Sequence, residues 1–168
     1  MDILIVDGYN IIGAWPELIE LKNKDLSAAR DRLVEKMAEY QAVTGFQVII
    51  VFDAHFVQGV QKKYSNFHVE VIFTKESETA DERIEKLAIS LNNRKTQVHV
   101  ATSDFTEQWA IFGQGALRKS ARELLTEMGT IEKKIEKKVK NIQLKRPGSK
   151  IPLSKEIAEI FEKWRRGK

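Results

Sequence analysis

Residues 1–10 read Met1-Asp2-Ile3-Leu4-Ile5-Val6-Asp7-Gly8-Tyr9-Asn10. The aliphatic run from Ile3 to Val6 is short and lacks polar alternation, the pattern of a strand covered on both faces. It stops at a carboxylate, and the Gly-Tyr-Asn that follows suits a tight turn. Asp7 is therefore either a turn former or a ligand presented at a strand end. The other strands decide which.

Three further β-branched runs, Val48–Phe52, Val69–Phe73 and Val98–Ala101, are separated by segments with helical spacing. That alternation predicts βαβ units around a mostly parallel sheet. Leu26-Ser27 opens a helix carrying Leu33, Met37 and Tyr40 near one face, with Gly45 as its stop. Thr79-Ala80-Asp81-Glu82 has capping-box spacing, and Ile84, Leu87, Ala88 and Leu91 supply the stripe behind it. A short helix around Glu107–Phe112 and a break at Gly113-Gln114-Gly115 follow. Residues 116–143 read as helical, with a narrow seam of Ile131, Ile135, Val139 and Ile142 amid charge. Arg146-Pro147-Gly148-Ser149 reads as a linker. Ser154 caps a last helix bearing Ile157, Ile160, Phe161 and Trp164. The expectation is one domain over residues 1–168, with residues 116–168 as a basic C-terminal helical region.

The charge is unevenly spread. From Thr130 to Lys168 there are 13 Lys/Arg against 5 Asp/Glu, a net of +8, while Met1–Gly129 carries 15 against 19, a net of −4. An acidic body with a basic C-terminal third fits either a polyanion-binding stripe or a solvated helix face. There are no cysteines, which excludes disulfides, thiolate metal sites and a cysteine nucleophile. No apolar stretch approaches a membrane span, and no signal peptide is visible, so a cytoplasmic, monomeric protein is expected.

The acids recur at one address. Asp7 ends the first strand and Asp53 the second, Asp104 follows the fourth by three residues, and Asp81 lies in the first turn of the helix after the third. In a parallel α/β sheet the strand ends open onto one edge, where ligands bind. Each aspartate alone also suits a cap or turn, and Asp81 suits the helix dipole. Four together would repel one another unless a cation lay between them. Oxygen donors favour Mg²⁺ or Mn²⁺, which can activate water and stabilise the charge of phosphodiester hydrolysis. Asn10 adds an amide to the same edge.

Competing chemistries lack their motifs. His55, His68 and His99 have no zinc-ligand spacing, and His99 lies inside a strand. No G-x-S-x-G elbow is present. Gly113-Gln114-Gly115-Ala116-Leu117-Arg118-Lys119-Ser120 misses the Walker A pattern at Arg118, where a glycine belongs, and no strand is expected directly before it. Those residues fit a phosphate clamp at a helix N-terminus, with Arg118, Lys119 and Ser120 as ligands, or a plain surface loop. Trp15, Trp109 and Trp164 suit packing or base stacking.

The stretches MDILIVDGYNIIGAW, VIIVFDAH, FTKESETADERIEKLA, VATSDFTEQWAIFGQGALRKSARE and FEKWRRG together resemble the YacP-like family of bacterial NYN domains, a branch of the PIN-like nucleases. The resemblance spans nearly the whole chain. It implies a PIN-like three-layer α/β/α sandwich and an acidic, divalent-metal-dependent endoribonuclease site. It also implies association with the ribosome and cleavage of mRNA there, leaving a 3′-hydroxyl and a 5′-phosphate. Carried over by position, Asp7, Asp81 and Asp104 would hold one or two Mg²⁺ or Mn²⁺ ions, with Asn10 and Asp53 in support. The alternative is a non-catalytic RNA- or ribosome-binding module whose acids hold a structural ion.

Overall fold

The computed structural model describes residues 1–54, 68–103 and 110–144, within two compact units, Met1–Ile131 and Glu132–Lys168. Strand β1 (Asp2–Asp7) leads directly into helix α1 (Gly8–Ile12), followed by α2 (Pro16–Lys24) and α3 (Leu26–Thr44). Then come β2 (Gln47–Phe52), β3 (Glu70–Phe73), α4 (Ala80–Leu91), β4 (Gln97–Ala101), α5 (Ala110–Gly113), β5 (Leu117–Lys119) and α6 (Ala121–Leu144). The strands form one sheet in the order β3-β2-β1-β4-β5, every neighbouring pair parallel. β1 is central, which is why its aliphatic run shows no polar alternation.

Successive side chains of a strand point to opposite faces, and this sorts the core into two layers. Ile3, Ile5, Ile49, Val51, Val98 and Val100 pack with Ala80, Ile84 and Ala88 of α4. Leu4, Val6, Val48, Ile50 and Phe52 are also fully buried, on the side covered by α1 and α3. The architecture is the expected α/β/α sandwich of PIN-like type.

Local signals set the helix ends. Asp25 caps α3 by accepting from Ser27 N, and Gly45 closes it in the left-handed conformation at φ 78°. Thr79 Oγ1 accepts from Glu82 N at 3.2 Å, so the Thr79–Glu82 segment caps α4 as expected. Trp15, only 1 % exposed, donates from Nε1 to Ala121 O at 2.8 Å and ties the start of α2 to the start of α6. His99 is a packed residue, its Nε2 3.1 Å from Asp2 Oδ1 and its ring 5.0 Å from that of Phe46.

Two expectations are corrected, and one helix was not anticipated. Asp7-Gly8-Tyr9-Asn10 is no tight turn, because the chain passes straight from β1 into α1. The Trp15-Pro16 stretch starts a helix of its own, α2, with proline at its first position. Residues 116–143 are not helical throughout, since Leu117–Lys119 pair with β4 as an edge strand before α6 begins. Three residues are too few for a period-2 pattern to show against neighbouring helical spacing. In the second unit the described residues, Glu132–Leu144, continue α6, and the aliphatic seam becomes exposed along it, 48 % at Val139 and 60 % at Ile142.

Glu78, just before the α4 cap, is a buried acid held by two cations of that helix. Its carboxylate lies 3.1 Å from Lys86 Nζ and 3.4 Å from an Arg83 guanidinium nitrogen. The Lys86 hydrogen bond is the main cause holding its pKa below the ordinary 4.5, against the opposing effect of burial. A carboxyl whose folded pKa is depressed contributes stability above its unfolded pKa and loses it as pH falls through the folded value. Melting temperatures below pH 4.5 should therefore fall more steeply for the wild type than for Glu78→Gln. Parallel melting curves of the two proteins would reject this account.

Candidate active site

Three of the four expected acids follow strand ends or open the helix beside them at the carboxyl edge of the sheet. Asp7 ends β1 in register with Val51, and it shares the face of Ile3 and Ile5 that α4 covers. Asp81 lies in the first turn of that same helix. Asp53 directly follows Phe52, the last residue of β2. Asp104 lies outside the described residues. Among the described residues, no three histidine, cysteine or carboxylate side chains group closely enough to hold a metal ion.

Asp7 is buried to 8 % exposure, and its Oδ2 accepts from Thr102 Oγ1 at 3.3 Å. Thr102 continues the face of Val98 and Val100, so β4 delivers its hydroxyl to the strand beside it. A buried carboxylate is stable only where donors or cations compensate its lost hydration. The acids are hard oxygen donors throughout, and they fit Mg²⁺ or Mn²⁺ in kind.

Asn10 sits one turn beyond Asp7 on α1, and its Oδ1 accepts from Ser103 N at 2.7 Å. Ser103 Oγ in turn accepts from Ala121 N at 3.2 Å. Asn10 thus fastens the chain that leaves β4, immediately before Asp104, to the helix that follows Asp7. Neither Thr102 nor Ser103 stood out in the sequence, because a single hydroxyl residue after a strand carries no pattern.

The phosphate candidates follow on β5, whose carboxyl end lies beside that of β4: Ala101 is in register with Lys119, and Thr102 N donates to Lys119 O at 3.0 Å. Lys119 Nζ donates to Glu127 Oε1 at 2.6 Å and to Tyr40 Oη at 3.3 Å, and lies 5.7 Å from the Phe46 ring. Tyr40 donates to Glu127 Oε2 at 2.8 Å; burial foremost, with that acceptor's help, pushes its hydroxyl pKa far up. Arg118 lies over the Phe112 ring at 4.6 Å. Ser120 Oγ accepts from Glu123 N and caps α6. The glycine break enters strand β5 rather than a helix, and Gly115, at φ 108°, is held by Gln97 Nε2 at the amino end of β4. The helix N-terminus expected there begins only after the strand.

One cation at the edge was not anticipated. Arg30, in the second turn of α3, donates to Tyr9 Oη at 3.1 Å. Tyr9 packs its ring 5.0 Å from Phe52, which stacks 5.6 Å from Phe73. Burial raises the Tyr9 hydroxyl pKa, the hydrogen bond and charge of Arg30 oppose this, and the charge of Asp53 adds to the rise.

Residues 4–166 match the YacP-like NYN domain family. This chain belongs to that family. It is 67 % identical over 167 residues to the Bacillus subtilis (strain 168) protein described as "Uncharacterized protein YacP", covering 99 % of this chain and 98 % of that one. It is similar to the crystal structure of Rae1 (YacP) from Bacillus subtilis, with a TM-score of 0.80 at 67 % identity over 99 % of this chain and 96 % of the other. A tryptophan-to-leucine variant of that protein matches at a TM-score of 0.74 and 63 % identity, with the same coverage. The NYN domain is nuclease-like, which supports a ribonuclease-type role. No helix among the described residues is long and apolar enough to cross a membrane.

Proposed function

We propose that this NYN domain is a divalent-metal-dependent endoribonuclease that cleaves mRNA in association with the translating ribosome. The observation that carries the proposal is the buried Asp7 carboxylate at the central strand's end, on the sheet face that α4 covers and beside a helix whose first turn carries Asp81. Asp7, Asp81 and Asp104 would hold Mg²⁺ or Mn²⁺, with Asp53 in support. Such an ion, when bound, supplies Lewis-acid polarisation and charge neutralisation at the scissile phosphate.

The chain's own residues supply the positioning. Thr102 orients one Asp7 oxygen, and Asn10 holds the backbone that leads into Asp104. Of the phosphate candidates, Lys119 pairs with Glu127, Ser120 caps α6 and Arg118 lies over Phe112 on the edge strand; Arg118 and Lys119 would contact flanking phosphates. The basic C-terminal region would engage ribosomal or messenger RNA through phosphate contacts. Such a protein works in the cytoplasm.

The test is cleavage of a defined mRNA by the purified chain, with and without ribosomes, in Mg²⁺, Mn²⁺ or EDTA, with the ends mapped to the nucleotide. Cuts bearing a 3′-hydroxyl and a 5′-phosphate are expected, and EDTA should abolish them. RNA or ribosome binding without cleavage under any of these conditions would establish the non-catalytic module instead.

A further inference from the structure

We propose that Arg30 is a phosphate-binding residue of this site, gripping the RNA backbone beside the acids while Tyr9 Oη holds one of its N–H groups. The inference rests on the nuclease reading above. An edge lined by aspartates repels a polyanion, so a cation beside them is what lets RNA approach. α3 returns from the carboxyl end of β1 to the start of β2, and therefore runs against the strands, with its first turns at the acidic edge. Arg30 lies in those turns, 3.1 Å from the hydroxyl of Tyr9, which is two residues beyond Asp7.

Lys119 ends β5 in register with Ala101, but its ammonium is turned to α3, where it donates to the hydroxyl of Tyr40, ten residues beyond Arg30 in that helix. Arg30 donates to the Tyr9 hydroxyl, which itself feels the charge of Asp53, so the guanidinium sits beside the acids. A guanidinium presents its N–H donors in a fixed fork that matches phosphate oxygens, and the Tyr9 hydroxyl orients that fork. The hydroxyl preorganises the cation.

Binding of a single-stranded RNA of roughly a dozen nucleotides is measured across a salt series by fluorescence anisotropy. The full-length Asp7→Asn chain serves as parent, so that the RNA stays intact. Arg30→Gln should weaken binding roughly tenfold and lower the slope of log K against log salt by about 0.7, the value for one lost phosphate contact. Arg30→Lys should keep the parental slope with a smaller loss of affinity, because the charge survives and the fork does not. An unchanged slope in Arg30→Gln overturns the assignment, whether affinity is kept or lost, since a packing defect would not alter the counterions released. Should Arg30→Gln fail to fold, Tyr9→Phe decides: weakened binding at unchanged slope is expected, and parental affinity overturns the proposal. If the wild-type chain neither binds nor cuts RNA, the nuclease reading fails. If it cuts RNA while Arg30→Gln binds like its parent, only the Arg30 assignment fails.

Discussion

Asp7→Asn is expected to lower RNA cleavage by more than about 100-fold, beyond the 10- to 100-fold typical when only a partner of a metal ligand is removed. The chain should meanwhile fold normally. Asparagine matches aspartate in shape, and its amide oxygen can still accept from Thr102 Oγ1, which lies 3.3 Å from Asp7 Oδ2. Only the charge disappears, at a position 8 % exposed where a carboxylate is costly to bury. The variant's melting temperature should therefore equal or exceed that of the wild type, a trade of stability against function common at charged active sites. Melting curves and initial cleavage rates on one RNA check both halves. Full activity in a folded Asp7→Asn chain would remove Asp7 from the site.

Gly8→Ala is expected to damage the fold itself. A Cβ at Gly8 would lie 2.4 Å from Phe52 Cε1, 2.5 Å from Phe52 Cδ1 and 3.1 Å from Val51 O. The Phe52 ring cannot simply step aside: it is fully buried, packed by Tyr9 and stacked on Phe73. Overpacking of this kind costs about 1–3 kcal/mol. The gain in helix propensity from alanine, about 1 kcal/mol at a helix centre, is smaller still at the first residue of α1. A net loss of about 2 kcal/mol should show as a lower urea midpoint at unchanged m. An unshifted midpoint would mean that the approach of α1 to Phe52 is looser than described. Because Gly8 directly follows Asp7, cleavage should fall as well.

The two glycine-linked expectations fared differently for a physical reason. Gly45 was legible as a helix stop, since a left-handed residue after a helical pattern is a local event. Gly8 was read as leave to turn. Its actual constraint is a ring contributed by Phe52, forty-four residues later, and no local pattern reports that contact.

The sequence by itself determined four of the five strands, their parallel sense, the Gly45 stop of α3, the α4 cap and the acids at strand ends. All of these follow from short-range periodicity and from the rule that parallel strands share one open edge. It also carried the family resemblance, because many short motifs in order are more specific than any one of them. Tertiary structure alone decided which side chains meet there. Thr102 reaches Asp7 across ninety-five residues and Arg30 reaches Tyr9 across twenty-one, and neither pairing leaves a periodic trace. The β5 strand and the pairing of Lys119 with Glu127 likewise depend on the sheet edge and on α6 being in place. MDILIVDGYN thus announced the address of the proposed site, and the folded chain chose Thr102 as the partner of Asp7.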